Sequence, residues 1–246
     1  MIDKNTSWSF SSYSTALSCL QKYKYVYVDK LQQEQEIGDL AFGKAVHSAI
    51  NGSLEGEDGE MLFDLYWGTY KTLPVEYGRY KWDYLQNAGS ELMRKFVKFY
   101  KPRLEPIIME KRAYSEYKGM KVEGTLDFYG KLDGVESLID WKTTGYPYDK
   151  DKALIALQLH LYAYLCINEF KVVPKQVVYF PFVKSKGSIQ EPIIIPLDES
   201  KMHAMLDTMK AYVDKLGSSS DAPKNYNSCI MGTMKCQFFN KCHKGE

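Results

Sequence analysis

The chain has 246 residues, 45% of them hydrophobic and 26% charged, so one large domain with a sizeable core is expected and a disordered chain is excluded. Lys and Arg number 32 against 31 Asp and Glu, a net charge of +1, so no global basic field marks a nucleic-acid partner and any such surface must be local. No apolar run approaches the ~20 residues of a membrane helix, and the start Met1-Ile-Asp-Lys-Asn-Thr6 lacks the apolar core of a secretion signal, so a cytoplasmic protein with no membrane partner is expected.

Residues 9–20 begin with serines able to cap a helix. The Tyr/Lys/Val alternation from Tyr23 to Val28 fits a helix end or a strand equally. Residues 37–50 read as a helix with Leu40, Gly43, His47 and Ile50 along one stripe. Residues 51–64 carry five acids and three glycines and read as an exposed loop. Residues 85–101 form the next helix, with Leu92, Phe96 and Phe99 inward.

The pattern then changes. Residues 107–117, 121–130 and 136–142 read as three strands joined by Gly-containing turns, 151–168 as a helix, and 175–183 and 189–195 as two more strands. Asp198 or Ser200 caps a last helix that Gly217 ends, and residues 218–223 lead into a cysteine tail. This order gives an α/β fold with a mixed five-stranded sheet flanked by helices. One domain is expected, with a helical part over 9–104, an αβ core over 105–200 and a helix plus cysteine tail over 201–246.

Chemistry concentrates in the middle strands. On strand 121–130 period-two alternation puts Val122, Gly124, Leu126 and Phe128 on one face and Glu123, Thr125 and Asp127 on the other. On the next strand Asp140 and Lys142 share a face, while Ile139 and Trp141 take the opposite one. If the strands are neighbours, Asp127, Asp140 and Lys142 converge. Two close carboxylates repel and bind a divalent cation, which polarises a phosphodiester and activates water, with a lysine as point charge beside it. Residues 91–118 hold eight Lys/Arg against four acids, and 201–246 seven Lys against four, which suits contact with a nucleic-acid backbone.

The cysteines are five: Cys19, Cys166, and then Cys229, Cys236 and Cys242 near the end. An odd count without a secretion signal argues against a disulfide framework. The three late cysteines look like part of a metal or cluster site, and Cys166, on a helix, like a core thiol.

Gly124-x-x-Asp127, then Asp140-x-Lys142-Thr143, then Gln158-Leu-His-Leu-Tyr162 on the following helix, resembles the PD-(D/E)XK nuclease superfamily, most closely its RecB-like exonuclease branch. The resemblance implies a restriction-endonuclease-like core and a Mg²⁺- or Mn²⁺-dependent DNA exonuclease. It implies metal ligation by His47, Asp127, Asp140 and the Trp141 carbonyl, a catalytic Lys142, and orienting roles for Gln158 and Tyr162. Glu110 resembles an accessory acid of some members. One early and three late cysteines resemble the iron–sulfur subset of the branch, found in AddB-type and CRISPR-adaptation nucleases. That implies a 4Fe-4S cluster on Cys19, Cys229, Cys236 and Cys242, with Zn²⁺ as the competing occupant. The resemblance further implies DNA with a free or single-stranded end as partner, in a bacterial, archaeal or phage-infected cell. A homo-oligomer, or a recombination or CRISPR-adaptation partner, is left open. The rival readings are a catalytically silent DNA-binding module and a restriction-type endonuclease.

Overall fold

The computed structural model describes residues 6–31, 36–217, 222–231 and 234–244. Helix α1 (Phe10–Ser18) starts at Ser9, whose hydroxyl accepts from the Ser12 N–H while the Ser12 hydroxyl accepts from the Ser9 N–H. The ambiguous stretch after it is helical, a turn over Leu20–Tyr23 running into a wider turn over Lys24–Val28. Helices α2 (Gly38–Leu54) and α3 (Gly59–Gly68) are separated only by Glu55–Asp58. The acidic stretch is therefore not a loop over 51–64. Asp58 caps α3 by accepting from Glu60 and Met61, where acids favour a helix N-terminus. Helix α4 (Trp82–Lys95) widens over Phe96–Tyr100, which carries Phe99 off the buried stripe: it is 56% exposed, whereas Leu92 and Phe96 are buried.

Strands β1 (Leu104–Tyr117), β2 (Met120–Leu132) and β3 (Val135–Thr144) run antiparallel. Their turns are Lys118-Gly119 and Asp133-Gly134, with φ of 49° and 81°, and 51° and 81°, the double left-handed conformation of tight hairpins. Helix α5 (Leu157–Phe170) carries the chain to β4 (Gln176–Val183), parallel to β3 with Asp140 beside Tyr179 and Lys142 beside Pro181. Strands β5 (Ser188–Ile189) and β6 (Ile193–Pro196) both pair antiparallel with β4. The sheet thus has six strands rather than five. The expected strand 189–195 contains Pro192, which has no N–H for a ladder, and divides there.

The expected helix 151–168 also divides, into Lys150–Leu154 and α5. Taken together, Lys150–Phe170 is long and apolar enough by composition to cross a membrane, contrary to the expectation from sequence. Here it is broken at Ile155–Ala156, and α5 packs against β1, β2 and β3 as a core helix. Asp198 caps α6 (Glu199–Gly217) through the Lys201 N–H. Of the expected loop 218–223, residues 218–221 lie outside the described residues.

Two cores flank the sheet. One joins it to α5 and α6 through Val122, Leu126, Leu161, Val177 and Leu206; the other joins it to α2, α3 and α4 through Phe42, Phe63, Leu92, Phe128 and Trp141. Leu126 and Phe128 belong to different cores, although two residues apart should mean one face. The expected alternation therefore holds only as far as Leu126. On β1 the same reversal separates Ala113 from Met109. The residues at the two reversals, Glu110 and Asp127, lie opposite one another, between the pairs Met109–Phe128 and Lys111–Leu126. Glu110 makes its reversal with φ of 46°, a conformation that costs a non-glycine residue roughly 1–2 kcal/mol.

Beyond this point the sheet forks. β2 pairs with β3 only from Phe128–Ile139 to Leu132–Val135. In the gap the N-terminal segment docks on β2, with Trp8 N–H donating to Lys121 O at 2.9 Å and Glu123 N–H to Trp8 O at 3.0 Å.

Two glycines in the helical layer should respond oppositely to alanine. A Cβ at Gly89 would overlap the Phe63 ring, whereas one at Gly68 meets nothing within 4 Å. Gly89→Ala should destabilise by about 1–3 kcal/mol, as overpacked cores do. Gly68→Ala should stabilise by about 0.5–1 kcal/mol, through lower chain entropy. Urea denaturation of the two variants checks the pair.

Candidate active site

The fork between β2 and β3 opens into a cleft of about 1160 Å³, walled by α2 on one side and by the start of α1 and the strand ends on the other. Asp127, at the reversal of β2, accepts from the Trp141 N–H at 3.0 Å and so spans the fork. His47 reaches in from α2: its Nε2 lies 2.8 Å from the Trp141 carbonyl oxygen and its Nδ1 3.7 Å from Asp127 Oδ2. Close approach of α2 requires Gly43, whose added Cβ would press on Thr143 Oγ1 at 3.1 Å.

Glu110 completes the cluster. Ligand atoms of His47, Glu110 and Asp127 all lie within 4.8 Å of one another. The left-handed φ aims the Glu110 carboxylate, and Asn51 Nδ2 donates to it at 2.8 Å. Asn51 lies one turn beyond His47 on the same face of α2, a spacing visible in the sequence but not used there.

Asp140 and Lys142 point the other way from β3, toward α5. Lys142 Nζ lies 2.7 Å from Asp140 Oδ2 and donates to Gln158 Oε1 at 2.7 Å; Gln158 Nε2 donates to the Tyr162 hydroxyl at 3.2 Å. Tyr162 fits because residue 124 is glycine: a Cβ there would stand 2.8 Å from its ring. The expected site residues are thus gathered at one fork. Glu110, expected as an accessory, stands among the three converging donors, whereas Asp140, expected as a ligand, is paired with Lys142.

Burial, and then the Asp140 charge, hold the Asp127 carboxyl well above the ordinary carboxylate range. Burial also lowers His47, keeping the imidazole neutral and able to donate a lone pair. Burial pushes the Tyr162 phenol up, so it stays protonated. Asp140 is 2% exposed and its Oδ2, though ion-paired, has no aligned hydrogen bond. An oxygen-rich, half-starved donor set of this kind fits Mg²⁺ or Mn²⁺, and the imidazole tilts it toward Mn²⁺.

The profile of the PD-(D/E)XK nuclease superfamily matches residues 7–243. The chain belongs to this superfamily. A crystal structure of a "Putative exonuclease" from Eubacterium rectale shares the fold, with a TM-score of 0.61 at 12% identity, over 94% of this chain and 91% of that one. A second, SSO0001, aligns over 96% of this chain and 98% of that one, with a TM-score of 0.34 and 16% identity. No curated protein matches the chain.

Of the two basic stretches expected to form a nucleic-acid surface, 91–118 has most of its cations ion-paired within the PD-(D/E)XK fold, whereas in 201–246 Lys210 pairs with Asp214. Arg94 pairs with Glu60 and Glu91, Arg103 with Asp133, Arg112 with Glu123, and Lys118 with Asp207. Cys166 is a buried core thiol pushed up to about 12 by burial. Cys19, Cys229, Cys236 and Cys242 line one small cavity at the far end of α1, yet no three of their sulfurs lie within 4.8 Å of one another.

The raised Asp127 carboxyl gives a stability test. A carboxyl that holds its proton more tightly when folded loses stability as pH rises from the ordinary carboxylate range through its folded value. In EDTA, Asp127→Asn keeps an acceptor for the Trp141 N–H and removes that loss. Near neutral pH its melting temperature should exceed wild type by about 2–4 °C, the effect of roughly 1 kcal/mol in a chain of this size. The advantage should vanish in acid below the ordinary carboxylate range. Thermal scans across pH check both parts.

Proposed function

We propose that this protein is a divalent-metal-dependent deoxyribonuclease that hydrolyses phosphodiester bonds from DNA ends. The observation that carries the reading is the convergence of His47, Glu110 and Asp127 at the fork, with the Lys142 ammonium fixed beside them. A Mg²⁺ or Mn²⁺ ion held there would polarise the phosphodiester and lower the pKa of an attacking water. His47, Glu110, Asp127 and the Trp141 carbonyl are the residues that would hold it, with Asp140 close by, its Oδ2 free of any aligned hydrogen bond. Lys142 supplies positive charge where the phosphorane charge develops. Gln158 keeps its ammonium aligned, and the protonated Tyr162 keeps Gln158 in its rotamer. The name of the Eubacterium rectale neighbour, a "Putative exonuclease", supports action at ends.

Linear DNA labelled at either end should release nucleotides when Mn²⁺ is added, and covalently closed circles should resist. Lys142→Ala and Asp127→Asn should each lower the rate by at least ~10³-fold, the scale of lost transition-state charge stabilisation. His47→Ala should cost more with Mn²⁺ than with Mg²⁺, because imidazole favours Mn²⁺. Cutting of closed circles would make the protein an endonuclease. Binding without cutting under any divalent metal would make it a silent DNA-binding module.

We also infer that the cysteine cavity holds a 4Fe-4S cluster. Four cysteines from both ends of the chain face one cavity. Tetrahedral zinc, with bonds of ~2.3 Å, would need the sulfurs about 3.8 Å apart. Zinc sites favour two C-x2–4-C pairs, and the spacings Cys229-x6-Cys236 and Cys236-x5-Cys242 offer none, which supports the larger group. Burial, and then Cys236, Cys19 and Cys242, push the Cys229 thiol up, a charge conflict that a bound metal reverses. The tail is tied to α1 at Ser18 O, which accepts from Asn225 Nδ2 at 2.7 Å and from the Ser228 hydroxyl at 3.0 Å. Anaerobically purified protein should be brown, with broad absorption near ~400 nm. Cys19→Ser should bleach it and Cys166→Ser should not. Colourless protein with stoichiometric zinc would assign the cavity to zinc.

A further inference from the structure

Four cations line the cleft, and each has an acidic partner. Lys44 meets Glu36, Arg112 meets Glu123, Lys142 meets Asp140, and Lys184 meets Asp39. Lys184 differs from Lys44 and Arg112 in one respect. Its side chain is 5% exposed, against 62% for Lys44 and 57% for Arg112. Its partner Asp39, on the first turn of α2, is 49% exposed. The buried member of the pair is the cation, and the member that solvent can reclaim is the acid.

Three features fix where this ammonium stands. Its backbone N–H donates to Thr144 O at 2.9 Å, at the end of the parallel β3–β4 ladder. Lys142 faces Pro181 in that ladder, so Lys184 lies three residues further along, about 10 Å at ~3.3 Å per residue, and the odd step turns its side chain to the opposite face, over Phe42 rather than toward α5. One phosphate cannot sit on both lysines. The Phe42 ring lies beneath the Lys184 ammonium, 6.0 Å to its centroid, and closes its inner side. An ammonium has three donors, and Asp39 at 2.5 Å is the one hydrogen-bond acceptor near it among the described residues.

We propose that Lys184 binds a backbone phosphate of the nucleic acid other than the one being cleaved, and that Asp39 is the stand-in for that phosphate in the free protein. The proposal rests on the nuclease reading above and names a second anchoring point within that cleft. Incoming phosphate replaces a carboxylate that water can solvate at once, so the exchange leaves neither a buried cation unpaired nor a buried anion behind. Asp39 also repels phosphate until the exchange is complete, which favours an extended backbone aligned along the cleft over a lone anion.

The two partners should therefore act in opposite directions on binding. The probe is a fluorescein-labelled single-stranded oligodeoxynucleotide, followed by anisotropy in EDTA so that no cleavage occurs, over a series of salt concentrations. Lys184→Met should weaken binding about tenfold, the loss of one charge-assisted contact, and reduce the salt slope by about 0.7. Asp39→Asn should tighten binding, because it frees the lysine. A merely structural ion pair would lower the melting temperature in both variants and leave affinity and salt slope unchanged. That result, or weaker binding by Asp39→Asn, overturns the inference. If Lys184→Met does not fold, Asp39→Asn decides alone: tighter binding supports the inference, and unchanged binding overturns it. Wild-type protein that binds no oligonucleotide, and releases no nucleotide from linear DNA with Mn²⁺, would overturn the nuclease reading as well, whereas normal wild-type binding with unaltered variants overturns this inference alone.

Discussion

Where β2 and β3 part, a side-chain carboxylate takes the place of a strand. Asp127 accepts the Trp141 N–H at 3.0 Å, and this bond fixes the width of the fork. It sets the Trp141 carbonyl against His47, turns Lys142 toward α5 and leaves the opposing position on β1 to Glu110. The same bond draws Asp127 into a buried place near a second carboxylate, where its charge is unwelcome. Hydrogen bonding to the N–H favours the charged form, but burial outweighs it. The fork therefore pairs a mechanical role with an electrostatic tension, a balance of stability against function common at reactive sites.

Much of this was legible in the sequence. Lys118-Gly119 and Asp133-Gly134 announce tight hairpins because only left-handed residues close them with the right twist. Gly124 and Tyr162 entered as separate parts of one motif, and the structure supplies the physical link: the ring occupies the space a side chain at 124 would fill. The spacing of Asp140 and Lys142 put them on one face, and the structure agrees. What alternation could not reveal is the reversal at Glu110 and Asp127. Period-two reasoning assumes an unbroken pleat, and nothing in the residue types says that a glutamate will adopt a left-handed φ. The acid that stands closer to the other candidate donors than expected is the one whose backbone broke the rule.

Charge counting over 91–118 is limited for a related reason. Residues 91–118, rich in Lys and Arg, looked like a contact surface, yet several of their partners came from elsewhere in the chain: Glu60 for Arg94, Asp133 for Arg103, Asp207 for Lys118. Local composition carries no information about acids that folding brings alongside. Lys184 shows the converse: it falls between the expected strands 175–183 and 189–195, where nothing in the residue types marks it, whereas burial against Phe42 is what sets it apart.

The docking of Trp8 on β2 has a consequence outside catalysis. By leaving β3, the upper half of β2 acquires a free edge, and a row of unused N–H and C=O groups invites strand addition from another molecule. Trp8 takes up part of that row, bonded to Lys121 and Glu123, and is stacked on Tyr23, with Tyr27 stacked on Tyr23 in turn. The first described residues thus act as a plug against self-association. A shortened or carelessly fused amino terminus would leave the fork's geometry largely intact, yet turn its open edge into a nucleus for aggregation.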